Sequence, residues 1–222
     1  MTHTYAAYKS PISGQKTYTD WKWRSGNKVS KQTTGKKARV AILISDKIDF
    51  KRRAIKRDPE DHFIILKGRT HQGDINIVNI YAPNIGAPKY IKNILEDFKK
   101  DIDKNTIIVG DFNTPLSKMD RSSKQNINRD IVSLNNTLEE MYLTDIYRAF
   151  DPKEAKYTFY SCVHGTFSKT DYMIGHKASL NKFKIIKIIS SIFSHWKGWN
   201  YKPTPKEKTQ NTQNHGDWIA CY

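Results

Sequence analysis

The sequence predicts a single α/β domain in which helices cover a sheet-based core. Apolar, β-branched runs predict buried strands at residues 39–45 and 107–109, and alternation predicts a further strand at residues 75–81. Two longer segments repeat apolar residues at helical spacing, one beginning at Pro88 and one covering residues 127–141. Strands that alternate with helices favour a sheet covered by helices, but composition alone does not choose between a doubly wound sheet and a two-sheet sandwich.

The chain length and cysteine content narrow the class of protein. A chain of 222 residues can bury a sizeable core as one domain. The two cysteines, Cys162 and Cys221, form neither a metal-binding spacing nor a disulfide framework. Because the sequence also has no apolar stretch of membrane-spanning length and no signal peptide, we expect an intracellular protein, nuclear or cytoplasmic, that does not enter a membrane.

The charge balance predicts a polyanionic partner. Lys and Arg number 38 against 22 Asp and Glu, so the net charge is +16 and the pI is about 9.7. DNA is the simplest such partner, and the alternative is a basic protein whose charge serves only solubility. Nothing in the sequence indicates a small-molecule cofactor or an oligomeric state.

The ends of the chain differ in composition from its middle. Residues 1–38 are polar and irregular, which predicts a weakly ordered basic arm without strands, whose aromatic residues either pack or stack on bases. Residues 39–198 carry the domain. Residues 199–222 are rich in Pro, Lys, Gln, Asn and Thr and predict a disordered tail.

Several local elements follow in chain order. The basic cluster at 51–57 predicts an exposed turn, which is either solvated or in contact with phosphate. Residues 62–67 predict a further strand, and the strand at 75–81 ends before Pro83. The helix that begins near Pro88 has one apolar face, formed by Ile91, Ile94, Leu95, Phe98 and Ile102, and serves packing. Residues 157–160 and 169–174 predict short strands.

The strand at 107–109 runs into a polar loop that can carry chemistry. Gly110 permits a turn or a close approach to a ligand, and Pro115 prevents the strand from continuing. With alternation of period two, Asp111 and Asn113 point to the same side. A carboxylate beside an amide suits activation of water and stabilisation of a developing anion, whereas the simpler alternative is a turn at the strand end.

The residues around this loop resemble a known family. GDFN is similar to the motif of the endonuclease/exonuclease/phosphatase superfamily, and GDFNTPLSKMDRS resembles the endonuclease domain of mammalian LINE-type retrotransposons. The resemblance runs from about residue 36 to residue 202. It includes ARVAILISDKIDF, IVNIYAPNIGAPKYI, LTDIYRAFDPKEAKYTFYS and FSKTDYMIG in the family's order and spacing. Apurinic endonucleases and exonuclease III are more distantly similar.

This resemblance implies a fold and a reaction. The expected fold is an α/β two-sheet β-sandwich flanked by helices, DNase I-like, with the active site where strand-end loops converge. The expected reaction is Mg²⁺-dependent, in-line hydrolysis of a DNA phosphodiester, of the endonuclease, apurinic-site or 3'–5' exonuclease type.

The resemblance also implies roles for individual residues. Asp111 activates water and is a weak metal ligand, and Asn113 stabilises the phosphorane-like state. Tyr81 contacts the phosphate or the leaving oxygen, although a tyrosine at a strand end also suits half-buried packing. Asp171 orients the phosphate-contacting groups, and His195, after a one-residue shift in alignment, takes the place of the family's histidine.

Four further residues are expected to contact nucleic acid. Arg121 and Lys124 lie in a polar loop of the kind that the family places near DNA, and a solvent-exposed arginine is an equal alternative. Thr158 matches a threonine beside the DFN motif, with an ordinary strand residue as the alternative. Ser194 matches the serine of the family's Ser-Asp-His triplet.

The chain departs from the family pattern at both ends. No glutamate precedes Glu60 and the only asparagine in that span is Asn27, so the family's metal-binding glutamate and its opening asparagine strand are absent. Ser194-His195-Trp196 stands where the family has Ser-Asp-His. The sequence therefore predicts a truncated, diverged domain without the N-terminal strands, in which the Mg²⁺ ligand set is incomplete and hydrolysis is weak or lost.

Two alternatives to an active nuclease remain. One is a non-catalytic basic module that binds nucleic acid, and the other is an unstable retrotransposon-derived remnant. Missing strands would leave an unpaired sheet edge, which favours instability or association.

Overall fold

A computed structural model describes the central part of the chain. The residues described are 49–123, 127–162, 164–183 and 186, together with the strands at 5–9, 28–29, 40–44 and 220–221. The strands at 5–9, 28–29 and 220–221 are described as backbone only.

The described elements alternate between strands and helices. The strands are β1 (Tyr5–Lys9), β2 (Lys28–Val29), β3 (Val40–Ile44), β4 (Lys51–Arg57), β5 (Phe63–Thr70), β6 (Gly73–Tyr81), β7 (Thr106–Asp111), β8 (Leu143–Asp145), β9 (Phe159–Ser161), β10 (Thr166–Ser168), β11 (Asp171–His176) and β12 (Ala220–Cys221). The helices are α1 (Ala87–Asp97), α2 (Arg129–Glu140) and α3 (Ile146–Phe150), with 3-10 turns at Lys118–Asp120 and Lys177–Lys182.

These strands form two packed sheets and a small hairpin. The larger sheet has the order β4-β5-β6-β7-β11-β8, the smaller sheet has the order β12-β1-β3-β2, and β9 pairs with β10. Ile42 of β3 packs with Leu66 and Val109 of the larger sheet in one apolar cluster between the sheets. Ile91 and Leu134, from α1 and α2, belong to a second cluster on the other face of the larger sheet. The expected two-sheet sandwich flanked by helices is therefore confirmed.

The structure differs from the local expectations at five places. Residues 1–38 contain β1 and β2, and the tail contains β12; these strands pair in the smaller sheet, although none has the apolar alternation that signals a strand. Residues 51–57 form strand β4 instead of a turn, because an edge strand pairs on one side only and leaves its charges in water. The strands expected at 157–160 and 169–174 begin later, at Phe159 and Asp171.

The directions of three central strands bring their polar ends together. β6 runs parallel to β7, and β11 runs antiparallel to β7. The carboxyl ends of β6 and β7 and the amino end of β11 consequently meet at one edge of the larger sheet, which is the edge that carries Asp111.

Candidate active site

Three of the residues expected in the active site lie side by side at this edge. Tyr81 is opposite Asp111 in the β6–β7 register, and Asp111 is opposite Asp171 in the β7–β11 register. Directly opposed residues on neighbouring strands lie about 4.5–5.5 Å apart and project from the same face of a sheet. Tyr81, Asp111 and Asp171, called the strand-end row below, therefore present one hydroxyl and two carboxylates to the same surface.

The loop after β7 holds Asp111 in place. Asp111 is 6% exposed, and its Oδ1 accepts a 2.9 Å hydrogen bond from the backbone N–H of Asn113. The Nδ2 of Asn113 donates to the carbonyl of Ala82, at 2.5 Å, and the N–H of Ala82 donates to the carbonyl of Asp111, at 2.9 Å. Asn113 has φ 47°, a left-handed conformation that asparagine tolerates. The motif thus forms a turn, and this turn fixes the orientation of the carboxylate.

Gly110 allows β7 to approach β6 unusually closely. Its φ is 133°, and a Cβ at this position would lie 1.9 Å from the carbonyl oxygen of Ile80 and 2.8 Å from Oδ1 of Asn79. The close approach expected from the sequence is therefore to the neighbouring strand. It sets the spacing between Tyr81 and Asp111.

Thr158 supports the start of β11. It lies in a bend just before β9, where its Oγ1 accepts hydrogen bonds from the backbone N–H groups of Thr170, at 3.0 Å, and Asp171, at 3.2 Å. The carbonyl of Thr170 in turn accepts a 2.7 Å bond from the N–H of Phe112. Thr158 consequently helps to align Asp171 with the loop that carries Asp111.

The remaining expected site residues are placed only in part. Arg121 is half-buried after the 3-10 turn Lys118–Asp120 and forms a β-bridge with Ser168, next to the β9–β10 hairpin. Lys124, Ser194 and His195 lie outside the described residues.

Sequence reasoning missed a buried polar network that centres on Asp120. This carboxylate is 2% exposed and accepts hydrogen bonds from the N–H and hydroxyl of Ser117, at 2.9 and 2.8 Å. It also binds Arg148 at 2.8 Å and the hydroxyl of Tyr172 at 3.1 Å. The Tyr172 hydroxyl accepts a 2.8 Å bond from the N–H of Leu116. Burial and the nearby Asp120 carboxylate raise the pKa of Tyr172 well above its usual value, so this tyrosine remains a donor at neutral pH.

Lys169 extends the network towards α3. Its ammonium group is buried, pairs with Asp145, and lies 4.9 and 4.7 Å from the ring centroids of Tyr147 and Tyr172. Asp145 also caps α3, because its Oδ1 accepts from the N–H of Tyr147. One signal was available in the sequence: a lysine in a predicted strand requires a partner if that strand is buried.

The described residues do not complete the metal site that the family resemblance implies. Mg²⁺ prefers octahedral coordination by oxygen, with carboxylates among its ligands. The row offers the carboxylates of Asp111 and Asp171, and one oxygen of Asp111 already accepts the Asn113 N–H. Within the described ranges, no group of three or more His, Cys, Asp or Glu residues could hold a metal ion. No helix among these residues is both long and apolar enough to cross a membrane.

Comparison with solved structures identifies the fold. The endonuclease domain of TRAS1, a telomere-specific non-LTR retrotransposon, matches with a TM-score of 0.55 and 17% identity, over 80% of this chain and 75% of that one. An AP endonuclease from Archaeoglobus fulgidus matches with a TM-score of 0.50 and 19% identity, over 66% of each chain. No protein-family model matches the chain.

At these identities the likeness defines the fold. The chain has a DNase I-like fold, which it shares with these two structures. Among the structures it resembles is a retrotransposon endonuclease domain, as the GDFN region led us to expect.

Proposed function

We propose that the chain is a DNA-binding protein with a nuclease-like fold, whose hydrolysis of phosphodiester bonds is weak or absent. The observation that carries the proposal is the strand-end row, which gathers a tyrosine and two carboxylates at one edge of the larger sheet. The net charge of +16 supplies the attraction for a polyanion.

The row suits contact with a phosphodiester. The Tyr81 hydroxyl can donate to a phosphate oxygen, and the carboxylate of Asp111 can accept a proton from water. Asn113 holds the Asp111 carboxylate, and Thr158 holds the backbone of Asp171, so the groups are oriented before DNA arrives. Such preorganisation reduces the cost of binding and of any reaction.

The sequence supports low hydrolytic activity. No glutamate precedes Glu60, and Ser194-His195-Trp196 replaces the triplet typical of the resembled family. Loss of single catalytic groups commonly reduces rates by orders of magnitude, and several losses together leave little. Mg²⁺, when bound in proteins of this family, supplies charge stabilisation at the reacting phosphate.

The first test is binding of a fluorescent duplex at increasing salt concentrations. We expect a dissociation constant of ~10⁻⁴ to 10⁻⁶ M near physiological salt, weakening steeply as salt rises, because binding releases counterions. Binding that is absent, or that does not change with salt, would contradict the proposal. A cooperative melting transition of the same sample excludes an unfolded remnant.

A further inference from the structure

Strand β4 is the most basic element of the described sheet. Its sequence is KRRAIKR, and only Ile55 is half-buried while the other residues are exposed. β4 is the end strand of the larger sheet and pairs with β5 alone. The register shifts between Arg52 and Ala54, so a bulge at Arg53 bends the strand there.

Few acidic groups offset these charges. Asp74 pairs with both Arg53, at 3.0 Å, and Arg69 on β5, at 3.5 Å. Among the described residues no carboxylate forms an ion pair with Lys51 or Arg52. The edge of the sheet that carries Lys51, Arg52, Arg53 and Arg69 therefore remains strongly positive.

The spacing of these charges matches that of a nucleic-acid backbone. A β-strand rises about 3.3 Å per residue, and each strand of B-DNA carries one phosphate per about 3.4 Å of helix axis. Because successive side chains of a strand point to opposite faces, cations on one face of β4 recur about every 6.6 Å, which is close to the axial spacing of every second phosphate. The bulge at Arg53 interrupts this alternation.

This surface is remote from the strand-end row. Lys51 is opposite Arg69, which is opposite Asp74, and Asp74 precedes Tyr81 by seven residues along β6. At about 3.3 Å per residue, the separation along the sheet is about 23 Å. DNA bound at the row would have to extend by about seven base pairs to reach β4, at about 3.4 Å per pair.

We infer that β4 is a second DNA-binding surface, separate from the strand-end row, which binds the phosphate backbone through Lys51, Arg52 and Arg53. This inference rests on the proposed function, because it names a further surface for the same partner. The competing explanation is that these charges only prevent sheet edges from associating.

The experiment compares two charge-matched variants of the full chain. Lys51→Gln/Arg52→Gln removes two exposed charges from β4, and Lys177→Gln/Lys182→Gln removes two exposed charges from the 3-10 turn that follows β11. Binding of a duplex of about 20 base pairs is measured by anisotropy between about 50 and 200 mM salt. Arg53→Gln is a further β4 variant, and Asp74 keeps its pairing with Arg69 in it.

We expect the plot of log K against log salt to be shallower by about 1.8 for the β4 double variant, because each lost phosphate contact removes about 0.9. Arg53→Gln should lower the slope by about half as much. The control should change the slope by less than half of the double-variant effect.

Three outcomes would overturn the inference. If the salt dependence of DNA binding has the same slope in the β4 double variant and in the control variant, while the wild type binds, only the net charge of the protein determines binding. Self-association of the β4 variant with an unchanged slope would assign these charges to protection of the edge. Poly-glutamate serves as a probe for an acidic protein. If the β4 double variant binds DNA like the wild type but no longer binds poly-glutamate, the surface recognises an acidic protein instead. Failure of the wild type to bind any duplex would instead reject the proposed function itself.

Discussion

At the residue scale, Gly110 sets the distance between the two strands that carry Tyr81 and Asp111. A Cβ at this position would collide with the Ile80 carbonyl, at 1.9 Å, and a φ of 133° is unfavourable for any other residue. We therefore expect Gly110→Ala to lower the free energy of unfolding by about 3 kcal/mol or more, measured by urea denaturation.

Gly73→Ala is the matched control for that measurement. Gly73 has φ 124°, close to that of Gly110, but a Cβ there would meet nothing within 4 Å. Gly73→Ala should therefore lower the free energy of unfolding only by the cost of backbone strain, about 1–2 kcal/mol. Equal losses in the two variants would show that the approach of β7 to β6 contributes nothing.

At the element scale, Asp120 joins three elements of the fold. It ends the 3-10 turn Lys118–Asp120 and binds Arg148 of α3 and Tyr172 of β11. Asp120→Ala should destabilise the protein by about 3 kcal/mol, because it removes the acceptor of the Ser117 N–H and the carboxylate partner of the Arg148 guanidinium group. It also removes one of the two acceptors near the Tyr172 hydroxyl, the other being the carbonyl of Lys169.

Asp130→Ala is the control for this prediction, because the Lys89–Asp130 pair is exposed and 3.7 Å long. Exposed pairs of this kind contribute about 0–1 kcal/mol. If Asp120→Ala were as mild as Asp130→Ala, the network would not hold these elements together.

The same elements explain what could be read from the sequence. Periodicity predicted α1 and α2, because each buries one apolar face, alternation predicted β6, and an apolar, β-branched run predicted β7. β4 was missed because an edge strand in water needs no apolar alternation. The network was missed because its partners are distant along the chain, 52 residues apart for Asp120 and Tyr172.

The strand-end row also combines features that local sequence predicts with features that depend on contacts between distant parts of the chain. Period-two alternation led us to expect Asp111 and Asn113 on the same side, but β7 ends at Asp111 and Asn113 lies in the turn that follows, with φ 47°. The positions of Tyr81 and Asp171 beside them depend on the pairing of β6 and β11 with β7, which local sequence does not encode.

At the scale of the whole molecule, buried tyrosines should limit stability at alkaline pH. Burial and two nearby carboxylates raise the pKa of Tyr90 to about 12, and burial raises the pKa of Tyr147 and of Tyr172. In the unfolded chain these hydroxyls ionise near pH 10. The contribution of these tyrosines to the free energy of unfolding is therefore complete below about pH 10. It is lost as the pH rises through their pKa values in the folded protein.

Urea denaturation from about pH 8 to 11 should show this decline, and Tyr172→Phe should flatten it. The exposed Tyr142 provides the control, because Tyr142→Phe should leave the slope against pH unchanged. A Tyr172→Phe profile parallel to that of the wild type would contradict the assignment.

The most direct test of the whole account is nicking of supercoiled plasmid by the purified protein with Mg²⁺, beside Asp111→Ala and an EDTA control. We predict that a folded wild type that binds DNA nicks no faster than either control. Mg²⁺-dependent nicking that is abolished by Asp111→Ala would contradict this, because another group would then have to replace the missing glutamate and the protein would be an active nuclease.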